Sequence, residues 1–115
     1  MNQSATDCES IDCHGLKIPY HPDVITERMA NVITKGRYEA GEVRMMQSLA
    51  KPGDRVLELG AGVGLISTIA AQVTGPENVV AIEANPGLIP IIRETHRRNG
   101  MEGVDLIHGV GVTRP

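Results

Sequence analysis

Apolar positions recur at helical spacing over residues 24–35, where Ile25, Met29, Val32 and Ile33 share one face. Gly36 stands where a C-terminal cap belongs, just past Lys35. A second stripe, Ala40, Val43, Met46 and Leu49 with Met45 beside it, predicts a helix over 40–50. Core packing accounts for that stripe without any cofactor role for the methionines. Lys51-Pro52-Gly53-Asp54 then reverses the chain. Beyond it the pattern shortens: 56–59 reads as a buried strand and 65–74 as a helix burying Leu65, Ile66, Ile69, Ala70 and Val73. A second strand, 78–83, contains Val79-Val80-Ala81-Ile82. Such unbroken apolar runs suit parallel strands with helices on both faces, and strand, helix and strand make a right-handed βαβ unit. Asn85 and Pro86 are placed to cap and open the next helix, anchored by Leu88, Ile89, Ile91 and Ile92. Pro90 has to lie in its first turn or bend it. Arg93, Glu94, Arg97 and Arg98 read as a solvated face, and 104–108 as a third strand.

Residues 1–13 show no such periodicity and are expected to form a flexible arm ahead of a single partial domain at 14–115. Cys8 and Cys13 lie close together beside His14, but a metal site needs further ligands and a disulfide needs an oxidising compartment. Free thiols and no metal site are therefore expected. His21, His96 and His108 are scattered and read as surface or loop residues. Hydrophobic residues make up 41% of the 115 and charged ones 22%, which suits a globular chain rather than a disordered tail. The net charge of −3, the lack of a basic stripe and the absence of Phe and Trp argue against nucleic acid as a partner. No apolar run approaches the ~20 residues of a membrane helix, and the N-terminus lacks a secretory pattern, so a cytoplasmic location is the default expectation.

The chemistry concentrates at 55–64, a strand running into a glycine-rich turn. Gly60 lets the chain leave the strand, Gly62 offers bare backbone to a ligand, and Gly64 lets the next helix pack closely on the strand. The nicotinamide fingerprint G-x-G-x-x-G would put its third glycine at Leu65; here it comes one residue early. Glu58 sits two residues before Gly60. A helix N-terminus favours anions, so an acid beside it suggests a ligand carrying positive charge. Glu83 follows Gly64 by nineteen residues, at the end of the second strand, where acids in doubly wound folds accept from ribose hydroxyls.

Glu58-Leu59-Gly60-Ala61-Gly62-Val63-Gly64 resembles motif I of the class I S-adenosylmethionine-dependent methyltransferases. A longer set is similar to the FkbM-type methyltransferases over about residues 16–115: Tyr38-Glu39-x-x-Glu42, Pro52 through Gly64, Ile82-Glu83-Ala84-Asn85-Pro86-x-Leu88, and Asn99-Gly100. The resemblance implies an α/β, Rossmann-like fold, with this chain supplying its N-terminal half as three parallel strands. It implies S-adenosylmethionine as cofactor and O-methylation of a small molecule, a sugar or natural-product hydroxyl. By the same resemblance Gly60, Ala61, Gly62 and Gly64 wrap the methionine side, with Glu58 by its charged end. Glu83 holds ribose, and Ala84 and Asn85 line the adenosine site. Tyr38, Glu39 and Glu42 approach the methionine end from the preceding helix. Residues 108–110 occupy the family's adenine-contacting turn without the acidic residue many relatives have there.

No catalytic base can be named; Glu39 and Glu42 are the nearest by position. A complete class I enzyme runs to ~200 residues or more with seven strands, so three strands read as a truncated fold with an open edge at 56–59. The expectation is a marginally stable chain, or one whose edge is completed by a second copy. Two other classes compete. A nicotinamide-dependent oxidoreductase would use Glu83 equally well, against the glycine spacing and Glu58. A non-catalytic nucleotide-binding or interaction fragment would fit the missing half.

Overall fold

The structure is a computed structural model that describes residues 4–109. Strands β1 (Ser10–Cys13) and β2 (Leu16–Pro19) pair antiparallel across a His14-Gly15 turn, with Ile11 opposite Ile18. Helices α1 (Glu27–Thr34) and α2 (Ala40–Leu49) follow. The chain then alternates through β3 (Val56–Leu59), α3 (Leu65–Thr74), β4 (Val79–Glu83), α4 (Ile89–Arg98) and β5 (Asp105–His108). The last three strands form a parallel sheet in the order β3-β4-β5, so Leu59, Glu83 and His108 all lie at its C-terminal end. The α/β expectation holds, and the strand and helix around the glycine turn fall at 56–59 and 65–74 as the pattern predicts.

The two faces of this sheet differ. Val79 and Ala81 are buried with Ala70 and Ala71 of α3, Ile92 of α4 and Val104. On the other face the rows Leu57–Val80–Asp105 and Leu59–Ile82–Ile107 run across the strands. There Leu57 is 61%, Leu59 63% and Ile107 41% exposed. The expectation of helices on both faces is therefore met on one face only among the described residues. A second core joins the hairpin to the helices through Ile11, Ile18, Ile33, Val43, Leu65 and Ile91. Fully burying a side chain such as Ile18 or Leu65 is worth about 1.5–3 kcal/mol, so α3, which serves both cores, holds the halves together.

Several local expectations are corrected. Within the arm expected at 1–13, the described residues 4–13 are tied down: Ser10-Ile11-Asp12-Cys13 alternates exposed and buried, and Cys8 and Cys13 are buried free thiols. The short alternation was hidden because cysteine does not read as an apolar residue, though it buries like one. Helix α1 starts at Glu27, not at residue 24, because the Thr26 hydroxyl accepts from the Met29 N–H at 3.1 Å. Helix α4 starts at Ile89; Pro90 occupies its first turn, and Asn85 and Pro86 belong to the turn before it. Of the α2 stripe only Val43 is buried, while Met45 and Leu49 are exposed.

The charged face of α4 is the largest departure. Glu94 is buried and paired with both Arg97 and Arg98, the latter at 2.8 Å. Arg98 also donates to the carbonyls of Ala5 and Cys8 and to the Ser10 hydroxyl, which fastens the N-terminal segment to α4. Those guanidinium groups hold the Glu94 carboxyl down at about 2. Asn99 pairs with both backbone groups of Lys17, at 2.9 and 2.8 Å, and anchors β2 to the end of the same helix. His21 and His96 are buried, not surface residues. No helix among the described residues is long and apolar enough to cross a membrane.

Candidate functional site

The glycine turn leaves β3 with the Gly60 N–H still donating to the Ile82 carbonyl at 2.8 Å. Gly62 then takes φ +57, and Gly64, with φ +88, caps α3. A Cβ on Gly64 would come within 3.2 Å of Ile92 and 3.3 Å of Thr95. The close approach that Gly64 permits is thus to α4 and not to the strand. Two buried hydroxyls hold the turn from below. Thr95 Oγ1 donates to the Val63 carbonyl at 2.7 Å, and Thr68 Oγ1 to the Gly64 carbonyl at 2.6 Å.

Glu83 ties this turn to the next one. One carboxylate oxygen accepts from the Gly62 N–H at 3.2 Å and the other from the Asn85 N–H at 3.0 Å. Each oxygen keeps a further lone pair for another donor. Asn85 Oδ1 accepts from the Gly87 N–H at 2.9 Å, closing a side-chain turn that keeps it from capping α4. His108 Nε2 lies 3.1 Å from the Ala84 carbonyl and so donates to it, placing the end of β5 against the Ala84-Asn85 turn. Val110, the last residue of the expected adenine turn, lies outside the described residues.

Tyr38 and Glu39 reach the same place from the start of α2. A Cβ built on Gly62 would stand 3.9 Å from Glu39 Oε1 and 4.0 Å from the Tyr38 hydroxyl. The phenol and the Glu39 carboxylate thus stand side by side over the turn. Burial and then the Glu39 charge push the Tyr38 phenol up to about 12. Burial also raises Glu39, with the charge of Glu42 adding to it, although Glu42 itself is exposed on α2. Glu58 is the most perturbed of the group. Burial, with Glu39 and Glu83 contributing, pushes its carboxyl up to about 8, against partial relief from Ser67. Its Oε1 is buried without a hydrogen-bond partner.

Two residues outside the sequence-derived set complete the surroundings. Ser67 lies between Glu58 and His96, with its hydroxyl 2.7 Å from His96 Nε2. Burial alone depresses His96 to about 4, so it is neutral at pH 7. Ser67 and His96 are on different helices, and spacing in the sequence carries no sign of their contact. Glu39 and Glu83 therefore flank one bare backbone turn and both act on Glu58, and neither lysine nor arginine is among the groups acting on Glu39 or Glu58. The orphaned oxygen and the crowded negative charge fit a ligand with a cationic donor group. They do not fit a pyrophosphate, which would add charge of the same sign.

The chain is similar in sequence and fold to known methyltransferases. The TRM5/TYW2 methyltransferase domain matches residues 25–110. The ribosomal protein L11 methyltransferase of Symbiobacterium thermophilum is 38% identical over 60 residues, 52% of this chain and 19% of that protein. Among solved structures, an M. jannaschii tRNA methyltransferase superposes with a TM-score of 0.62 at 18% identity, over 89% of this chain and 28% of the other. A mutant of MtNAS in complex with S-adenosylmethionine gives 0.54 at 20% identity, over 76% and 37%. The chain thus spans about a fifth of the length of that curated relative. The matching family is not the FkbM type that the motifs resemble. On the family match, the chain belongs to the TRM5/TYW2 methyltransferase domain family, within the class I S-adenosylmethionine-dependent methyltransferases.

Proposed function

We propose that this chain is the cofactor-binding segment of an S-adenosylmethionine-dependent methyltransferase, with β1 joined to residues 14–109 in one unit. The observation that carries the reading is Gly62 held by the Glu83 carboxylate and faced by Glu39, with Glu58, on which both charges act, leaving its Oε1 unpartnered. The bound cofactor would supply an electrophilic methyl group on a sulfonium, together with an ammonium. Glu58 accepts from that cationic end, while Gly60, Ala61, Gly62 and Gly64 let it lie against backbone. Glu83 uses its remaining lone pairs for the ribose hydroxyls. Ala84 and Asn85, steadied by His108, line the adenosine side. Tyr38 and Glu39 close over Gly62, and Glu42 adds negative field from the surface of α2. Methyl transfer needs in-line approach of the acceptor. The groups that would position that acceptor are not among those assembled around Gly62.

The acceptor in this reading is a small molecule bearing a hydroxyl, a sugar or natural product, as the FkbM-type resemblance implies. The net charge of −3 and the acidic cradle support it. A tRNA acceptor is the second reading, suggested by the fold shared with the M. jannaschii tRNA methyltransferase. Its phosphates would then be held by surfaces outside the cradle. Equilibrium dialysis with labelled S-adenosylmethionine tests the cofactor half of the proposal. Retention that excess NAD leaves unchanged is expected; displacement by NAD would restore the oxidoreductase reading. No retention at all would leave an inert fragment. A tightening of retention by added tRNA would favour the second acceptor.

A further inference from the structure

Among the described residues, only two that are not glycine take a positive φ, His14 at +52 and Glu39 at +49. They lie 25 positions apart in sequence and on either side of a single hydrogen bond. His14 Nε2 is 2.6 Å from the carbonyl of Tyr38, the residue immediately before Glu39. A carbonyl can only accept, so this imidazole carries its proton on Nε2. Strain of this kind persists only where the surroundings impose it. The hairpin imposes it here. Cys13 and Leu16, paired across the turn, are buried, so the turn residue between them is fixed from below. The strained ends meet beside the glycine cradle, with Glu39 Oε1 and the Tyr38 hydroxyl over Gly62.

We propose that His14 is a positioning residue for the cofactor site, in which the tip of the β1–β2 hairpin holds Tyr38 and Glu39 over Gly62 through the imidazole–carbonyl bond. This rests on the cofactor reading above. The bond acts on the one peptide that joins the two side chains, so it sets both at once. Without it Glu39, unfavourable in the left-handed region, has a route back to ordinary helical or extended backbone. Its carboxylate then leaves Gly62. The hairpin is thereby a part of the site and more than an N-terminal clasp.

His14→Gly and His14→Gln separate the bond from the fold. Glycine takes the positive φ without strain, so His14→Gly keeps the turn while deleting the donor. Glutamine restores an N–H donor at similar reach. Calorimetric titration with S-adenosylhomocysteine is expected to show about tenfold weaker binding by His14→Gly and recovery to within about twofold of wild type by His14→Gln. In the same proteins the NMR signals of the Tyr38 ring and the Glu39 amide should move in His14→Gly, while those of Ile11 and Ile18 stay. Unchanged affinity in His14→Gly together with unmoved Tyr38 and Glu39 signals overturns the proposal and leaves the cofactor reading intact. Failure of wild type to bind overturns the cofactor reading itself, and with it any role of His14 in affinity.

Discussion

Replacing Glu58 with Gln isolates the cost of keeping a carboxylate at the centre of the cradle. The unfolded side chain ionises near 4.5, whereas burial and the neighbouring Glu39 hold the folded one at about 8. Between those values the unfolded chain releases a proton that the folded chain retains, so stability drains as pH rises from 4.5 to 8. At about 1.4 kcal/mol per tenfold, the ceiling on this loss is about 5 kcal/mol. Residual solvent and the shared titration with Glu39 bring the expected value to about 2–3 kcal/mol. Glutamine matches the shape of the neutral acid and cannot ionise. Urea unfolding followed by circular dichroism at pH 5 and pH 8.5 should therefore give similar stabilities for wild type and Glu58→Gln at the lower pH. At the higher pH the variant should be more stable by that amount. His96, depressed to about 4, works in the opposite direction, with stability lost as pH falls from about 6.5, but equally in both proteins. Parallel pH profiles for the two proteins would refute the account of Glu58.

Three further outcomes follow from the structure. Glu83→Ala removes the acceptor of both the Gly62 and Asn85 N–H groups, so it should lower stability by about 2 kcal/mol and weaken S-adenosylmethionine binding at least about tenfold; unchanged binding in dialysis would remove the ribose assignment. Arg98→Ala leaves Glu94 buried with a single partner and frees the N-terminal segment, for a loss of about 3 kcal/mol in thermal or urea unfolding. A change under about 0.5 kcal/mol would mean that the pair is effectively solvated. Leu57→Thr, on the bare face of the sheet, should leave stability within about 0.5 kcal/mol while reducing binding of a hydrophobic dye and any self-association seen by sedimentation. Equal dye binding by both proteins would show that this face is covered in solution.

What the sequence reveals and what it conceals divide along the range of the interactions. The βα alternation from Val56 to His108 is written in local periodicity, and the glycine turn and the two strand-end acids follow from spacing within 26 positions. The Glu83 carboxylate accordingly accepts from the Gly62 N–H, and Tyr38 with Glu39 stands over the same turn. The resemblance to the FkbM type rests on those same local motifs, which class I methyltransferases share widely, and so it reached the class but named a family other than the one matched. The misreadings involve side chains whose partners are distant in sequence. Arg98 reads as solvated because its backbone acceptors, the Ala5 and Cys8 carbonyls, lie about 90 positions away in a segment without apolar periodicity. His96 reads as a loop residue because Ser67, on another helix, is what it meets. His14 contacts the Tyr38 carbonyl, and a contact with backbone leaves no mark in residue identities at all. The bare sheet face was hidden for a different reason, since an apolar strand looks the same whether one face or two are covered.

The central claim is that an acidic, partly protonated cradle receives a cationic cofactor. Calorimetric titration of S-adenosylmethionine into the chain at pH 7, repeated in phosphate and in Tris, counts the protons exchanged on binding. With Glu58 near 8 in the free protein and ionised against the cofactor's charge, the account predicts release of about one proton per cofactor, abolished in Glu58→Gln. Binding with the same heat in both buffers, or proton release that survives Glu58→Gln, would contradict it.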